Sequence, residues 1–152
     1  MSAPPRKTIV VDTNVLVRST FRKRSPLSHR IYQAIEAQES ILALSPAIVE
    51  EIRDVISRDY IIAYTHTTHE MRKRFVDALI DICILTPGKA KLTKTSRDVE
   101  DNKFLVCAVE VKADFLVTSD KDLLDMKEAE GTRILPPQEF VALLEKGKLK
   151  IT

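Results

Sequence analysis

The chain has 152 residues, 44% of them apolar and 30% charged, with a formal net charge of +2. That length suits one domain burying roughly 70% of its unfolded surface. The composition excludes a disordered chain, and no apolar run reaches the roughly 18–20 residues of a membrane span.

Lys7 to Val11 reads as a short buried strand, β-branched and continuous, of the kind a parallel sheet covers on both faces. Ser25-Pro26 resembles an N-cap with proline at the first helical position. The helix after it presents Leu27, Ile31, Ala34 and Ile35 at helical spacing. Ile41 to Leu44 is a second strand. Ser45-Pro46 repeats the cap signal and opens a helix with Ile48, Val49, Ile52, Val55 and Ile56 on its apolar side. A polar stretch around Tyr64 to Thr68 separates that helix from another over about 70–82. A third strand at Ile82 to Leu85 is stopped by Thr86-Pro87-Gly88. A basic loop leads into a helix over about 100–112, then a very short strand at Phe115 to Val117 and the turn Thr118-Ser119-Asp120. Ile134-Leu135 is a last strand, and Pro136-Pro137 starts a final helix through Leu144 and Glu145. No repeat, low-complexity tract or linker divides the chain.

Strands alternating with helices imply an open parallel sheet with helices on both faces. Right-handed crossovers place every strand's C-terminal end on one edge, where ligand sites of such folds gather. Four separate segments bring acids to that edge. Asp12 follows the first strand, and Asp120 follows the strand at Phe115 to Val117. Asp98 and Asp101 begin a helix, and Glu50 and Glu51 lie early in the helix after Ser45-Pro46. Such convergence is repulsive in bare protein, and a divalent cation resolves it. Hard oxygen ligands without His or Cys suit Mg²⁺ or Mn²⁺. Acids at helix starts also serve as caps or dipole partners, the weightier reading for Glu50, Asp98 and Glu100 taken singly. Asp120 could cap the short helix holding Leu123 and Leu124, with Asp122 sharing the role. Asp12 is hardest to explain structurally, because a carboxylate costs several kcal/mol to bury without a partner.

Other chemistries are absent from the sequence. There is no GxxxxGK[ST] loop, no GxGxxG and no GxSxG elbow. Cys83 and Cys107 are too few for a disulfide framework or zinc site and are expected to be reduced core residues. His66 and His69 fit a solvated turn better than a metal pair. The opening MSAPPRKTIV lacks the apolar core of a signal peptide, so a cytoplasmic protein is expected. Positive charge collects at Arg18, Arg22, Lys23, Arg24 and Arg30, at Lys89, Lys91, Lys94 and Arg97, and at Arg72, Lys73 and Arg74. Such patches can neutralise phosphates, or simply form solvated faces.

IVVDTNVLV, LSPAIVEEI and DVEDNKFLVCAVEVKADFLVTSDKDLL stand in the order and spacing of PIN domains. The resemblance is to the branch regarded as toxins of toxin–antitoxin systems, and it runs from about Lys7 to Leu144. It implies a three-layer α/β/α sandwich with a parallel sheet of about five strands in the order 3-2-1-4-5. It also implies an Mg²⁺- or Mn²⁺-dependent endoribonuclease cutting single-stranded RNA to 5′-phosphate and 3′-hydroxyl ends. By position, Asp12, Glu51, Asp101 and Asp120 match the family's catalytic and metal-holding acids, Glu51 better than Glu50. Asn14, Thr118 and Ser119 match its supporting polar residues, with Asp98 and Asp122 as further members. An antitoxin partner and a homodimer are implied as well. Ile61, Ile62 and Tyr64 form either a contact surface or core packing. Three alternatives stay open: a PIN-fold binding module without turnover, a stand-alone RNA-processing nuclease, and a DNA-directed nuclease.

Overall fold

A computed structural model of the chain describes residues 6–21 and 25–151. Arg22, Lys23 and Arg24 of the first basic stretch therefore lie outside the described residues. Strand β1 (Lys7–Val11) has Ile9, Val10 and Val11 fully buried, so both of its faces are covered. It lies between β2 (Ser40–Leu44) and β4 (Phe115–Val117), parallel to both, with Ile9 opposite Leu42 and Val10 opposite Leu116. Beyond β2 lies β3 (Ile84–Leu85), and beyond β4 lies β6 (Thr132–Leu135), again parallel. A two-residue strand, β5 (Glu128–Ala129), closes the far edge antiparallel to β6, giving the order β3-β2-β1-β4-β6-β5. The five expected strands thus keep their expected order, and β5 is an addition. Its link to β6 passes through Glu130 and Gly131, both at positive φ (49° and 91°), as a two-residue hairpin turn requires.

The steps from β1 to β2 and from β2 to β3 run one way across the sheet, and the step from β3 to β4 runs back. With right-handed crossovers, the connecting helices fall on opposite faces. The first two connections carry α1 (Thr13–Arg18), α2 (Pro26–Glu36), α3 (Pro46–Ile56), α4 (Asp59–Thr65) and α5 (His69–Ile82). The return carries α6 (Asn102–Val111), which lies against β1, β2 and β4. After β4 come α7 (Lys121–Leu124) and, following β6, α8 (Pro137–Ile151). The main core joins the sheet to Ile31, Ile48, Ile52, Leu79, Phe104, Leu105 and Phe140. Phe140 meets the edge of the Phe115 ring at 5.8 Å between centroids.

Several local expectations change. Residues 13–18 form a helix that the sequence reading does not assign. Residues 59–65 form another, which places Ile61 in a small core with Val17, Val55 and Ile56. Tyr64 of the same helix is 46% exposed. Ser45 caps α3 by accepting from the Ile48 amide (3.4 Å), whereas the Ser25 side chain, at the equivalent position of α2, makes no cap bond. Third-strand pairing begins only at Ile84, because α5 runs on through Ile82. No helix of the described residues is long and apolar enough to cross a membrane.

Candidate active site

The parallel sheet delivers the C-terminal ends of β1 and β4 side by side, with Val11 opposite Val117. Asp12 and Thr118 follow these ends, and the Thr118 hydroxyl donates to Asp12 Oδ2 at 2.7 Å. The other oxygen of Asp12 accepts from the Asn14 amide at 3.1 Å, capping α1. The carboxylate at the end of an apolar strand therefore has two partners, one of them structural. Burial raises the pKa of Asp12, and the charges of Glu51 and Asp120 add to the rise. The hydrogen bonds from Thr118 and Asn14 oppose it.

Asp120 is set by the same threonine, whose Oγ1 accepts from the Asp120 amide at 2.9 Å. Asp120 Oδ1 in turn accepts from the Asp122 amide at 2.8 Å and caps α7. Asp98 caps the short 3₁₀ turn before α6 by accepting from the Glu100 amide at 3.0 Å. Capping and site-building are not rival roles here. Asp12, Asp98 and Asp120 each cap a turn or helix while standing at the rim.

Asp98, Asp101 and Asp120 each offer an oxygen to a group in which all three lie within 4.8 Å of one another. Asp101 is the buried member, 8% exposed, and its Oδ2 has no hydrogen-bond partner among the described residues. Burial, then the neighbouring carboxylate of Asp120, then the charges of Asp98 and Asp12, push its pKa up to about 7. An orphaned buried oxygen among acids is a costly arrangement for protein alone. Oxygens on opposite sides of a Mg²⁺ ion stand about 4.2 Å apart, and somewhat further across a larger hard cation. The oxygen-only donor set and its spacing therefore fit a divalent ion of that class.

Of the four acids expected from sequence, Asp101 and Asp120 lie inside this group, and Asp12 adjoins it closely enough for its charge to act on Asp101. Asp98 joins the group on the same footing as Asp101, although sequence position marked it as a supporting residue. Glu51 stands apart from the three. Its Oε2 accepts from the Thr13 hydroxyl at 2.8 Å, and its Oε1 lies 3.4 Å from Lys103 Nζ. Lys103 also pairs with Glu100 at 3.6 Å and is 18% exposed, a cation set into an acidic rim. The sequence reading overlooked it. Its only signal was a position three residues after Glu100, on the turn that carries Asp101. Asp122 and Asp125 are bound to Arg97, at 3.1 and 2.6 Å, which ties the segment before Asp98 to α7.

The basic stretches are mostly engaged elsewhere. Arg30 joins Glu39 and Glu145, Lys94 joins Glu128, Lys73 joins Asp77, and Arg74 joins Glu70. Arg18, Lys89 and Lys91 have no ion-pair partner among the described residues. His66 and His69 lie in the α4–α5 region, outside the carboxylate group.

A PIN domain family model matches residues 8–122, from β1 through the start of α7. The chain belongs to the PIN domain family. The matched span contains every acid of the rim. Among solved structures, this PIN domain superposes on a chain from the crystal structure of VapBC2 from Rickettsia felis bound to a DNA fragment from their promoter. The TM-score is 0.56 at 14% identity, covering 85% of this chain and 98% of that one. At that identity the likeness is one of fold. No curated protein sequence matches the chain.

Proposed function

We propose that this PIN domain is an endoribonuclease that hydrolyses phosphodiester bonds of single-stranded RNA with Mg²⁺ or Mn²⁺, and that it serves as the toxin of a toxin–antitoxin pair. The observation that carries the catalytic reading is the group of oxygens from Asp98, Asp101 and Asp120 within 4.8 Å of one another, at a buried Asp101 whose Oδ2 has no hydrogen-bond partner among the described residues. Asp12, Asp101 and Asp120 hold the ion, directly or through water, and Asp98 is placed to contribute. When bound, the ion acidifies water and offsets charge on the in-line transition state. Thr13 and Lys103 hold Glu51, whose carboxylate would complete the cage around the ion or orient the attacking water. Thr118 fixes Asp12 and the Asp120 backbone together, so the two strand ends keep their spacing. No histidine base is needed.

The antitoxin and a homodimer rest on family resemblance. Light scattering of the purified chain tests the dimer, and co-expression with the product of a small neighbouring reading frame tests the antitoxin. The catalytic reading is tested by incubating single-stranded RNA, single-stranded DNA and structured RNA with the protein, with and without Mn²⁺. Metal-dependent cutting of single-stranded RNA supports it. Preference for DNA, or cutting that survives chelation, overturns it.

A further inference from the structure

Asp101 Oδ2 is not alone as a buried polar atom without a hydrogen-bond partner; among the described residues Arg72 Nε is another. Arg72, Phe75, Val76 and Leu79 follow the i, i+3, i+4, i+7 spacing of the inward face of α5, where Val76 and Leu79 are buried. An arginine on such a face ordinarily has a carboxylate to neutralise it. Arg72 makes no ion pair among the described residues, and its Nη1 donates to the Thr67 carbonyl (2.6 Å) and hydroxyl (3.2 Å) instead. That leaves the edge formed by Nε and Nη2, a fork of two parallel N–H groups suited to two oxygens of one anion.

Arg72 lines a cleft of about 300 Å³ between the end of α3 and the first half of α5, together with Arg53 and Lys73. Arg53 is exposed and has no ion-pair partner among the described residues. Asp77 is the one acid of the lining, and it stands 3.9 Å from Lys73. Three cations against one carboxylate leave an excess of two positive charges, counting His69 of the same lining as neutral. Ile56 and Val76, both buried, give the cleft an apolar side, and such a setting strengthens charge-assisted hydrogen bonds made beside it. The cleft is separate from the carboxylate rim. Arg53 lies two residues beyond Glu51 on α3, a rotation of about 200° about the helix axis, so the two stand on different faces.

We propose that this cleft binds a terminal phosphate group, the dianion of inorganic phosphate or of a phosphate monoester, free or at the 5′ end of an RNA strand. Arg72 offers the fork of Nε and Nη2 to two of its oxygens, and Arg53 and Lys73 meet the remaining charge. A monoester carries about −1.5 to −2 near pH 7, which matches the excess of the lining. A carboxylate or a backbone phosphodiester carries a single charge and leaves one cation over. The proposal uses none of the rim acids, so it stands apart from the metal-dependent reading.

The full-length chain is titrated in EDTA with inorganic phosphate, adenosine 5′-monophosphate and acetate, following backbone amide resonances by NMR. The expected result is saturable shifts at Arg53, Arg72 and Lys73 with both phosphates. Affinity should fall about tenfold or more in Arg72→Gln and less in Arg72→Lys, which keeps the charge without the fork. Arg53→Gln, a change at an exposed position, should weaken binding too and separates lost affinity from a folding defect at Arg72. Lys112→Gln, outside the cleft at the end of α6, should change nothing. A short oligoribonucleotide is then compared in its 5′-phosphorylated and 5′-hydroxyl forms. Tighter binding of the phosphorylated form assigns the site to RNA ends, and equal binding assigns it to free phosphate. Absence of shifts at the three amides overturns the proposal, as does unchanged affinity in both Arg72→Gln and Arg53→Gln, or equal loss in Lys112→Gln. Acetate binding as tightly as phosphate also overturns it, and points to an acidic protein segment instead.

Discussion

Asp101 is the residue on which the electrostatics of the rim turn. In the folded chain its carboxyl titrates at about 7 because it is buried beside Asp120, against 3.8 in the open. Between those values the folded state holds more protons than the unfolded one, so stability falls as pH rises from about 4 to about 7. Metal-free protein should therefore lose a few degrees of Tm across that window, and Asp101→Asn should flatten the loss. Added Mn²⁺ should restore Tm at pH 8 in the wild type and not in the variant. A wild-type Tm rising with pH in EDTA would contradict the arrangement. Thr118 is the second test at this scale, because it donates to Asp12 and accepts from the Asp120 amide. Thr118→Val leaves both groups short of a partner and should cost about 1–3 kcal/mol in chemical denaturation. Asp12, Asp101 and Asp120 were legible in sequence because strand ends and helix starts share one edge. Lys103 was not, since an exposed-looking lysine in a helix carries no mark of the acids that surround it.

Among elements, legibility followed length. The strands at Lys7–Val11 and Ser40–Leu44 and the long helices α3 and α5 carry enough period to be read. Helix α1 has six residues, of which Val15, Leu16 and Val17 are all buried, so its apolar run could equally belong to a strand. Strand β5 has two residues and exists because the turn at Glu130-Gly131 folds it onto β6. Gly131 stands at φ 91° with open space where a Cβ would go, so any penalty at this position is one of backbone conformation and not of collision. Gly131→Ala should cost about 1–3 kcal/mol, which at this chain length lowers Tm by roughly 2–4 °C per kcal/mol. An unchanged Tm would mean that the hairpin does not require the glycine's conformation.

Across the whole molecule, five cations of the three basic stretches, Arg30, Lys73, Arg74, Lys94 and Arg97, are already ion-paired, and this narrows what those stretches can do. Arg30 bridges α2 to Glu39 and Glu145 and is better described as a brace than as an RNA contact. Within those stretches and among the described residues, Arg72 donates to Thr67, and Arg18, Lys89 and Lys91 are left to meet backbone phosphate. With three such contacts to a single strand, the logarithm of RNA affinity should fall against the logarithm of salt with a slope of about −2. Filter binding of Asp12→Asn to single-stranded RNA in EDTA measures that slope, and a slope near zero would remove these residues from the RNA path.

The central claim is that the carboxylates at the ends of β1 and β4 and at the start of α6 hold a divalent ion for RNA hydrolysis. The most direct measurement is cleavage of single-stranded RNA with and without Mn²⁺ by wild type and Asp12→Asn in parallel, with the Tm of each recorded in EDTA. The account predicts Mn²⁺-dependent cleavage by the wild type and none by the variant, whose metal-free Tm equals or exceeds the wild-type value because one repelling charge is gone. Full cleavage by Asp12→Asn in Mn²⁺ would contradict it.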